Sequence, residues 1–384
     1  MSEGELWLGM ISGTSRDGVD AALAAFPAGQ PQLRATLCLP YPADLAARLE
    51  RLAAGGRRPA AADLPELDAA IAGHFAETAL RLLRESGVAA ASVRAIGSHG
   101  QTVWHAPTGP RPESIQLGSP ALIAQRTGIR TVGDFRSADI AAGGQGAPLA
   151  PLLHRALFRP ARGRRVVLNL GGIANISIID RDGGVTGFDT GPANCLLDAW
   201  IRRHRGEALD RDGAWAAGGR VVPELLEAML ADPYFARPGP KSTGTEYFNL
   251  AWLDPLLEPL LAPLSAGRRP AGPEPGPADV QATLAELTAA TVADAIRPFA
   301  PADLLVCGGG VHNGDLLRRL RRRLPDTPLR STAESGLDPD WVEAVLFAWL
   351  ARERLAGRPQ DTRRITGARE AVLLGTVCEP GGVR

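Results

Sequence analysis

Hydroxyls, carboxylates and glycines gather in residues 9–20, Gly-Met-Ile-Ser-Gly-Thr-Ser-Arg-Asp-Gly-Val-Asp, between two apolar runs of strand composition. Leu6-Trp7-Leu8 leads in and Val19 to Phe26 leads out, so the stretch reads as a tight turn with Gly13 and Gly18 expected at the bend, where φ > 0 is easiest. Backbone N–H groups of such a turn, joined by the hydroxyls of Thr14 and Ser15, can cradle phosphate. Asp17 and Asp20 can hold Mg²⁺ directly or through water, and Arg16 puts a cation in the same turn. This is not a Walker loop: no Gly-x-x-x-x-Gly-Lys-Ser/Thr string occurs, and the turn leads into a strand instead of a helix. An ordinary polar hairpin has the same composition, so its company decides the reading.

Two further glycine clusters follow expected strands. Arg165 to Asp180 is again strand, turn and strand, with Gly171-Gly172 at the bend. Leu304 to Cys307 runs into Gly308-Gly309-Gly310 and then into the helix-like 315–324, a place where backbone can approach a base or a phosphate. Asp189, in Gly187-Phe188-Asp189-Thr190-Gly191-Pro192, stands before a helical pattern; it is either an N-cap or a carboxylate placed to act as general base.

Three more segments concentrate polar groups. Ser98-His99-Gly100-Gln101-Thr102-Val103-Trp104-His105 follows the apolar Val93 to Gly97 and is expected at the C-terminal end of a strand, where α/β proteins bind ligands. The spacing of His99 and His105 fits neither a helical zinc pair nor a finger, which leaves sugar-binding groups or structural histidines. Asp134 and Arg136 form either a plain salt bridge or a site for a ligand bearing hydroxyls and a carboxylate. Among 42 Lys and Arg residues there is a single lysine, Lys241, followed by Ser242-Thr243-Gly244; it is a chance survivor on a surface loop or part of an anion-holding turn.

The elements that must position these groups alternate. Helical patterns over 42–53, 64–85, 147–157, 192–203, 221–231, 279–299 and 340–356 are separated by short β-branched runs, which means α/β. A chain of 384 residues, 45% hydrophobic, suits two domains, and the recurrence of the hairpin after Arg165 points to related halves facing a shared cleft. Residues 262–277, rich in Pro, Gly and Ala, are the clearest expected loop, with 57–65 a second. Zero formal net charge favours neither nucleic acid nor membrane. The arginine-rich 318–323 reads as an amphipathic helix, its charges facing water around Leu316, Leu317, Leu320 and Leu324. Acids at the start and the lack of a membrane-length apolar run give a cytoplasmic expectation, and four scattered cysteines are expected to be reduced.

Together these segments resemble the anhydro-N-acetylmuramic acid kinase family, within the actin, sugar-kinase and heat-shock-ATPase superfamily. The likeness rests on Ser12 to Asp20, Ser98 to His105, Gly133 to Arg136, Gly143 to Pro148, Asn169 to Asn175, Asp189 to Pro192, Lys241 to Asn249, Asp279 to Thr288 and Cys307 to Gly310. It departs at Ala193, where many relatives carry glycine. The resemblance implies two actin-like (ribonuclease H-like) domains, residues 1–132 plus about 360–384 and residues 133–359, flanking an interdomain nucleotide and substrate cleft. It implies a homodimer that uses ATP, Mg²⁺ and water to convert 1,6-anhydro-N-acetylmuramic acid, an amino sugar of cell-wall recycling, to the 6-phosphate of N-acetylmuramic acid and ADP. In that scheme Asp189 is the base, residues 13–20 with Gly171 and Gly172 hold phosphates, Gly308 to Gly310 flank adenosine, and His99, Gln101, Asp134 and Arg136 hold the sugar. The rival readings are a kinase for an ordinary free sugar and an actin-like switch ATPase.

Overall fold

The structure is a computed structural model that describes residues 4–13, 16–54, 58–261 and 274–381. Thr14, Ser15, Arg57 and most of the loop expected over 262–277 lie outside the described residues. In chain order the strands are β1 (Leu6–Ser12), β2 (Gly18–Ala25), β3 (Gln32–Pro40), β4 (Val93–Ala106), β5 (Glu113–Leu117), β6 (Thr131–Gly133), β7 (Arg164–Leu170), β8 (Ile173–Asp180), β9 (Val185–Pro192), β10 (Asp303–Cys307), β11 (Leu329–Ser331) and β12 (Thr376–Cys378). Among the described residues no helix is long and apolar enough to cross a membrane.

The chain divides into two compact units. The first holds 1–159, 183–187 and 333–384; the second holds 160–182 and 188–332. The expected boundaries at 132/133 and 359/360 fall elsewhere for structural reasons. β6 is hydrogen-bonded between β4 and β12, so residues after 132 stay with the first sheet. The helix Val342–Leu355 packs on β1 and β4, and buried Asp139 accepts hydrogen bonds from the hydroxyls of Thr362 and Thr366 (2.8 Å from Thr366).

The sheet of the first unit runs β12-β6-β4-β1-β2-β3, with β5 paired to β4. β1, β2 and β3 form an antiparallel meander, whereas β4 and β6 run parallel to β1. The sheet of the second unit runs β11-β10-β7-β8-β9. Here too the first strand pairs antiparallel with the second and parallel with the fourth, which is parallel to the fifth. The same strand order and directions recur in both units, which is the duplicated actin-like sheet expected from the resemblance.

Alternation along β1 and β4 decides what each face carries. Leu8 and Met10 are fully buried against Ile71 and Phe75 of the helix Leu64–Ser86. The intervening Gly9, and Gly97 on β4, face the helix Val342–Leu355 so closely that a Cβ would overlap the carbonyl oxygens of Ala344 and Phe347. These two glycines therefore let a helix backbone lie directly on the sheet. In the second unit Val166, Leu168 and Leu170 of β7 pack with Ala289, Val292 and Ile296 of the helix Pro277–Ile296 and with Leu316 and Leu320 of the helix Gly314–Arg323.

Most expected helices are present with shifted starts. Pro192 ends β9, so that helix is Asn194–Arg205; the helix expected from 340 begins at Val342, and the one from 147 at Ala150. Pro120–Thr127 and Leu250–Leu261 are helices the pattern did not reveal, the latter with Pro255 and Pro259 inside it. Not all the charges of 318–323 face water. Arg319 is buried and pairs with Asp315 at 2.6 Å and Glu286 at 2.9 Å, and two carboxylates offset the cost of burying its guanidinium.

Gly97→Ala should destabilise the protein by about 2–3 kcal/mol, because the added methyl meets helix backbone that cannot rotate away. Urea denaturation measures it, and a loss within about 0.5 kcal/mol would contradict the close seating of the helix.

Candidate active site

In the first unit the site is built on the β1–β2 turn. Arg16, not a glycine, holds the positive φ (57°) of the described part of this turn, and its N–H donates to the Gly13 carbonyl at 3.3 Å. Gly18 serves another purpose than the expected bend: a Cβ there would collide with the backbone of Leu39 and Pro40 on β3. Asp17 fixes the turn from outside through its carbonyl, which accepts the Tyr41 N–H at 3.0 Å. Val19 is fully buried in the core, so of the turn's second half only Asp17 and Asp20 offer charge.

Asp20 does not stand alone. Burial pushes its carboxyl up to about 6, with Asp17 and Asp340 adding repulsion and the Cys38 thiol donating a hydrogen bond that lowers it. Glu343 is pushed up to about 7, chiefly by burial and then by Asp20, with Arg136 opposing. Asp340 and Glu343 lie at the start of the helix seated on Gly9 and Gly97, and no local motif marked them. A helix entry with two acids looks like ordinary N-terminal charge, so only the fold reveals that they face Asp20.

Such a cluster fits a divalent cation, since carboxylates that repel one another are what a cation offsets. Among the described residues no three His, Cys, Asp or Glu side chains converge as a cage. A hydrated Mg²⁺ takes only one or two carboxylates together with phosphate oxygens, so the fit does not require a full cage.

The second cluster of this unit surrounds Arg136. His99, 7% exposed, turns Nδ1 to the Gly100 carbonyl at 3.0 Å, which makes Nδ1 the protonated nitrogen. Its Nε2 is thereby the acceptor for the Arg136 guanidinium at 2.9 Å. Burial and then Arg136 hold the His99 pKa well below the usual histidine range, and the same causes push His105 down to about 3. His105 Nδ1 lies 3.0 Å from the Ser114 hydroxyl. Both rings are neutral and orient one permanent cation. Asp134 is exposed, has φ 53°, and accepts the Ser137 N–H at 3.3 Å. The Arg136 guanidinium thus reaches His99, while Asp134 accepts a backbone N–H of its own turn.

Gln101 has a different place from the one expected. Its Oε1 accepts from the Ser12 hydroxyl at 2.6 Å, and its Nε2 donates to the carbonyls of Gly13 and Thr102, each at 3.2 Å. Fully buried, it braces the first turn and has no donor left for a sugar.

In the second unit Asp189 lies inside β9 and caps nothing; the helix that follows has Ala193 at its N-cap without a side-chain bond. The carboxylate is 7% exposed, and its Oδ2 accepts the Thr243 N–H at 2.9 Å. Its backbone is held on both sides: Asp189 N–H donates to the Lys241 carbonyl at 3.0 Å, and the Tyr234 hydroxyl donates to the Asp189 carbonyl at 2.8 Å. These bonds hold the carboxylate in one orientation, which a candidate general base requires.

The glycine turns divide by role. Gly171 and Gly172 close the β7–β8 hairpin, and their carbonyls accept the N–H groups of Ala193, Asn194 and Cys195 at 3.0–3.1 Å. Ala193, at φ −126° and ψ −109°, takes up this geometry without the glycine of many relatives. After β10, Gly308 has φ 80°, and a Cβ there would overlap the Asn169 side chain, while one on Gly310 would meet Leu170. Those two glycines serve close packing against the end of β7. Gly309 alone of the three has open space where a Cβ would be.

Comparisons with known proteins identify the family. The family model described as "Anhydro-N-acetylmuramic acid kinase" matches residues 5–380. A protein of that name from Xanthomonas campestris pv. campestris (strain 8004) is 50% identical over 377 residues, 97% of each chain. One from Pseudomonas syringae pv. tomato is 47% identical over 378 residues, 97% of this chain and 98% of the relative. One from Vibrio cholerae is 45% identical over 383 residues, 99% of this chain and all of the relative. The chain belongs to the anhydro-N-acetylmuramic acid kinase family.

Proposed function

We infer that this protein is an ATP-dependent phosphotransferase that opens 1,6-anhydro-N-acetylmuramic acid with water and phosphorylates O6, giving N-acetylmuramic acid 6-phosphate and ADP. Family membership over nearly the whole chain supports the reaction. The single observation that carries the chemistry is Asp189, a mostly buried carboxylate held by the Thr243 N–H and by two backbone hydrogen bonds. Asp189 takes a proton from water as the water oxygen bonds the anomeric carbon. The bond from that carbon to the bridging oxygen breaks, and this oxygen, now O6, attacks the γ-phosphorus as the bond to the ADP oxygen breaks. Glycoside hydrolysis ordinarily needs a second carboxylic acid to protonate the leaving oxygen. Phosphoryl transfer replaces that proton, so one carboxylate suffices.

The remaining residues position and bind. The β1–β2 turn, braced by Gln101, faces the phosphates with Arg16 as a local cation; Thr14 and Ser15 belong to the same turn in sequence. Gly171, Gly172 and Gly309 form the phosphate and adenosine side in the second unit, with Gly308 and Gly310 supporting them. Asp17 and Asp20 would hold Mg²⁺, which when bound supplies charge neutralisation along the phosphates. Arg136, oriented by His99, offers a guanidinium to the lactyl carboxylate, a bidentate partner for which its fork is suited. Asp134 offers an exposed acceptor to a sugar hydroxyl. Its need for ATP assigns the reaction to the cytoplasm.

Purified protein with Mg·ATP should release ADP only with the anhydro sugar, and in ¹⁸O-water the sugar product should carry one ¹⁸O. Activity confined to open sugars would mark an ordinary sugar kinase, and ADP release without sugar a switch ATPase. Asp189→Asn should retain ATP and sugar binding, measured by calorimetry, while kcat falls by about 10³-fold or more.

The acid cluster predicts a pH-dependent stability. Asp20 and Glu343 titrate near 6 and 7 in the folded protein, against about 4 when unfolded. Between those values the folded state holds protons that the unfolded state has released, so stability declines as pH rises from about 4 to about 7. Mg²⁺ needs deprotonated ligands and should therefore raise Tm more at about pH 8 than at about pH 5. Thermal melts with and without Mg²⁺ test this, and equal shifts at both pH values would remove the metal assignment.

A further inference from the structure

Lys241 is the single lysine of the chain, and the hydrogen bonds of its ammonium go to backbone carbonyls. Nζ donates to the carbonyls of Tyr234 and Phe235, at 3.1 and 3.3 Å, near the end of the short helix Pro233–Ala236. It also lies 4.6 Å from the centroid of the Tyr234 ring and 6.0 Å from that of Phe188. The loop reaches this place by running close under Phe188: a Cβ on Gly239 would lie 2.6 Å from that ring. The anion that the loop of Ser242 and Thr243 holds is the chain's own Asp189 carboxylate, through the Thr243 N–H, while the ammonium ties the loop to the helix end.

The same two segments that the ammonium joins are the ones that grip Asp189. From one side the Tyr234 hydroxyl donates to the Asp189 carbonyl. From the other, the Lys241 carbonyl accepts the Asp189 N–H and the Thr243 N–H donates to Oδ2. Tyr234 itself is anchored: Asp232 accepts its N–H at 2.8 Å, the Trp252 indole N–H at 2.8 Å and the Tyr247 hydroxyl at 3.0 Å. Without a tie between the segments, the carboxylate would be held by a loop free to shift against its anchor. An ammonium can converge its donors on two successive carbonyls under an aromatic face, whereas a guanidinium spreads its donors in a plane.

We propose that Lys241 is a positioning residue for Asp189, a clip that locks residues 241–243 to Tyr234 and Phe235 so that the carboxylate keeps the geometry needed to deprotonate water. This rests on the assignment of Asp189 as general base. Half-buried beside the Tyr234 ring, the cation also attracts the Asp189 carboxylate, and burial together with Arg237 lowers the Lys241 pKa while Asp189 raises it. A displacement of about 1 Å at a reacting group costs up to about 10²-fold in rate, which sets the size of the expected effect.

Lys241→Met, Lys241→Arg, Asp189→Asn and the Asp189→Asn/Lys241→Met pair should be compared by kcat, by KM for both substrates and by Tm. Lys241→Met should lower kcat by about 30- to 100-fold with each KM within about threefold, and Lys241→Arg should fall between it and the parent. The pair should turn over no more slowly than Asp189→Asn alone, because the clip acts only through the carboxylate. If Lys241→Met does not fold, Tyr234→Phe keeps the ring beneath the ammonium while deleting the donor to Asp189, and should cost about 10-fold in kcat with KM held. A raised KM at unchanged kcat would mean that the ammonium touches a substrate and would overturn the proposal. So would unchanged kinetics in Lys241→Met or Tyr234→Phe, or a further loss in the pair. Wild-type turnover by Asp189→Asn would instead sink the base assignment, and the clip with it, before any Lys241 variant is read.

Discussion

The seating of the helix Val342–Leu355 on bare strand backbone is the constraint from which the first unit's chemistry follows. Sheets normally hold a helix about 10 Å away because side chains fill the gap. Here Gly9 and Gly97 remove that gap, and the helix carbonyls of Ala344 and Phe347 come down onto β1 and β4. Two acids at the helix start, Asp340 and Glu343, are thereby set beside Asp20 of the neighbouring hairpin. Phe347, on the same helix, packs against His99 in a tilted pair with ring centroids 4.7 Å apart and backs the imidazole that orients Arg136. One packing decision thus supports both the acid cluster and the cationic site, at opposite signs of charge.

The second unit repeats the sheet but uses its glycines at another point. Gly308 and Gly310 bring the end of β10 against Asn169 and Leu170 of β7, where the first unit uses glycines beneath a helix. Its own candidate carboxylate, Asp189, is fixed by a loop and an aromatic cluster, with Tyr234 in the middle. Duplication of the fold therefore did not duplicate the site. The hairpins correspond, yet acids gather around one and backbone carbonyls around the other, where Gly171 and Gly172 accept the amides of 193–195.

What the sequence disclosed follows the range of the interactions involved. The three glycine turns, the alternation of strands and helices and the duplicated hairpin are local patterns, and each was legible. Asp189 was visible as a lone acid in a glycine-rich turn, but whether it capped a helix or stood ready as a base depended on Pro192 continuing β9, which a pattern of residues does not settle. Gln101 looked like a sugar ligand because a buried amide and an exposed one are the same letter; its partners Ser12 and Gly13 lie some 90 residues away in the chain. Glu343 and Asp340 were hidden for the same reason. The unit boundary was misplaced because β6, only three residues long, gives little signal, and it is held by strands far off in sequence on both sides.

The protonation states complete the argument for a kinase that also hydrolyses. A histidine in a catalytic cleft is usually the first candidate for proton transfer near neutral pH. Here His99 and His105 are excluded from that task, since burial and Arg136 hold both rings neutral far below neutral pH and one of them is committed as an acceptor to the guanidinium. Their work is to keep a permanent cation oriented without adding a second charge. In the proposed reaction the base for water is then a carboxylate, and Asp20 and Glu343 are poorly suited, because burial resists the ionisation of both, with Asp17 and Asp340 adding repulsion at Asp20 and Asp20 at Glu343. Asp189 belongs to the second unit, with the Thr243 N–H on one carboxylate oxygen and two backbone hydrogen bonds holding its strand. A carboxylate held from its backbone and through one oxygen is what the proposed role of a base for water calls for.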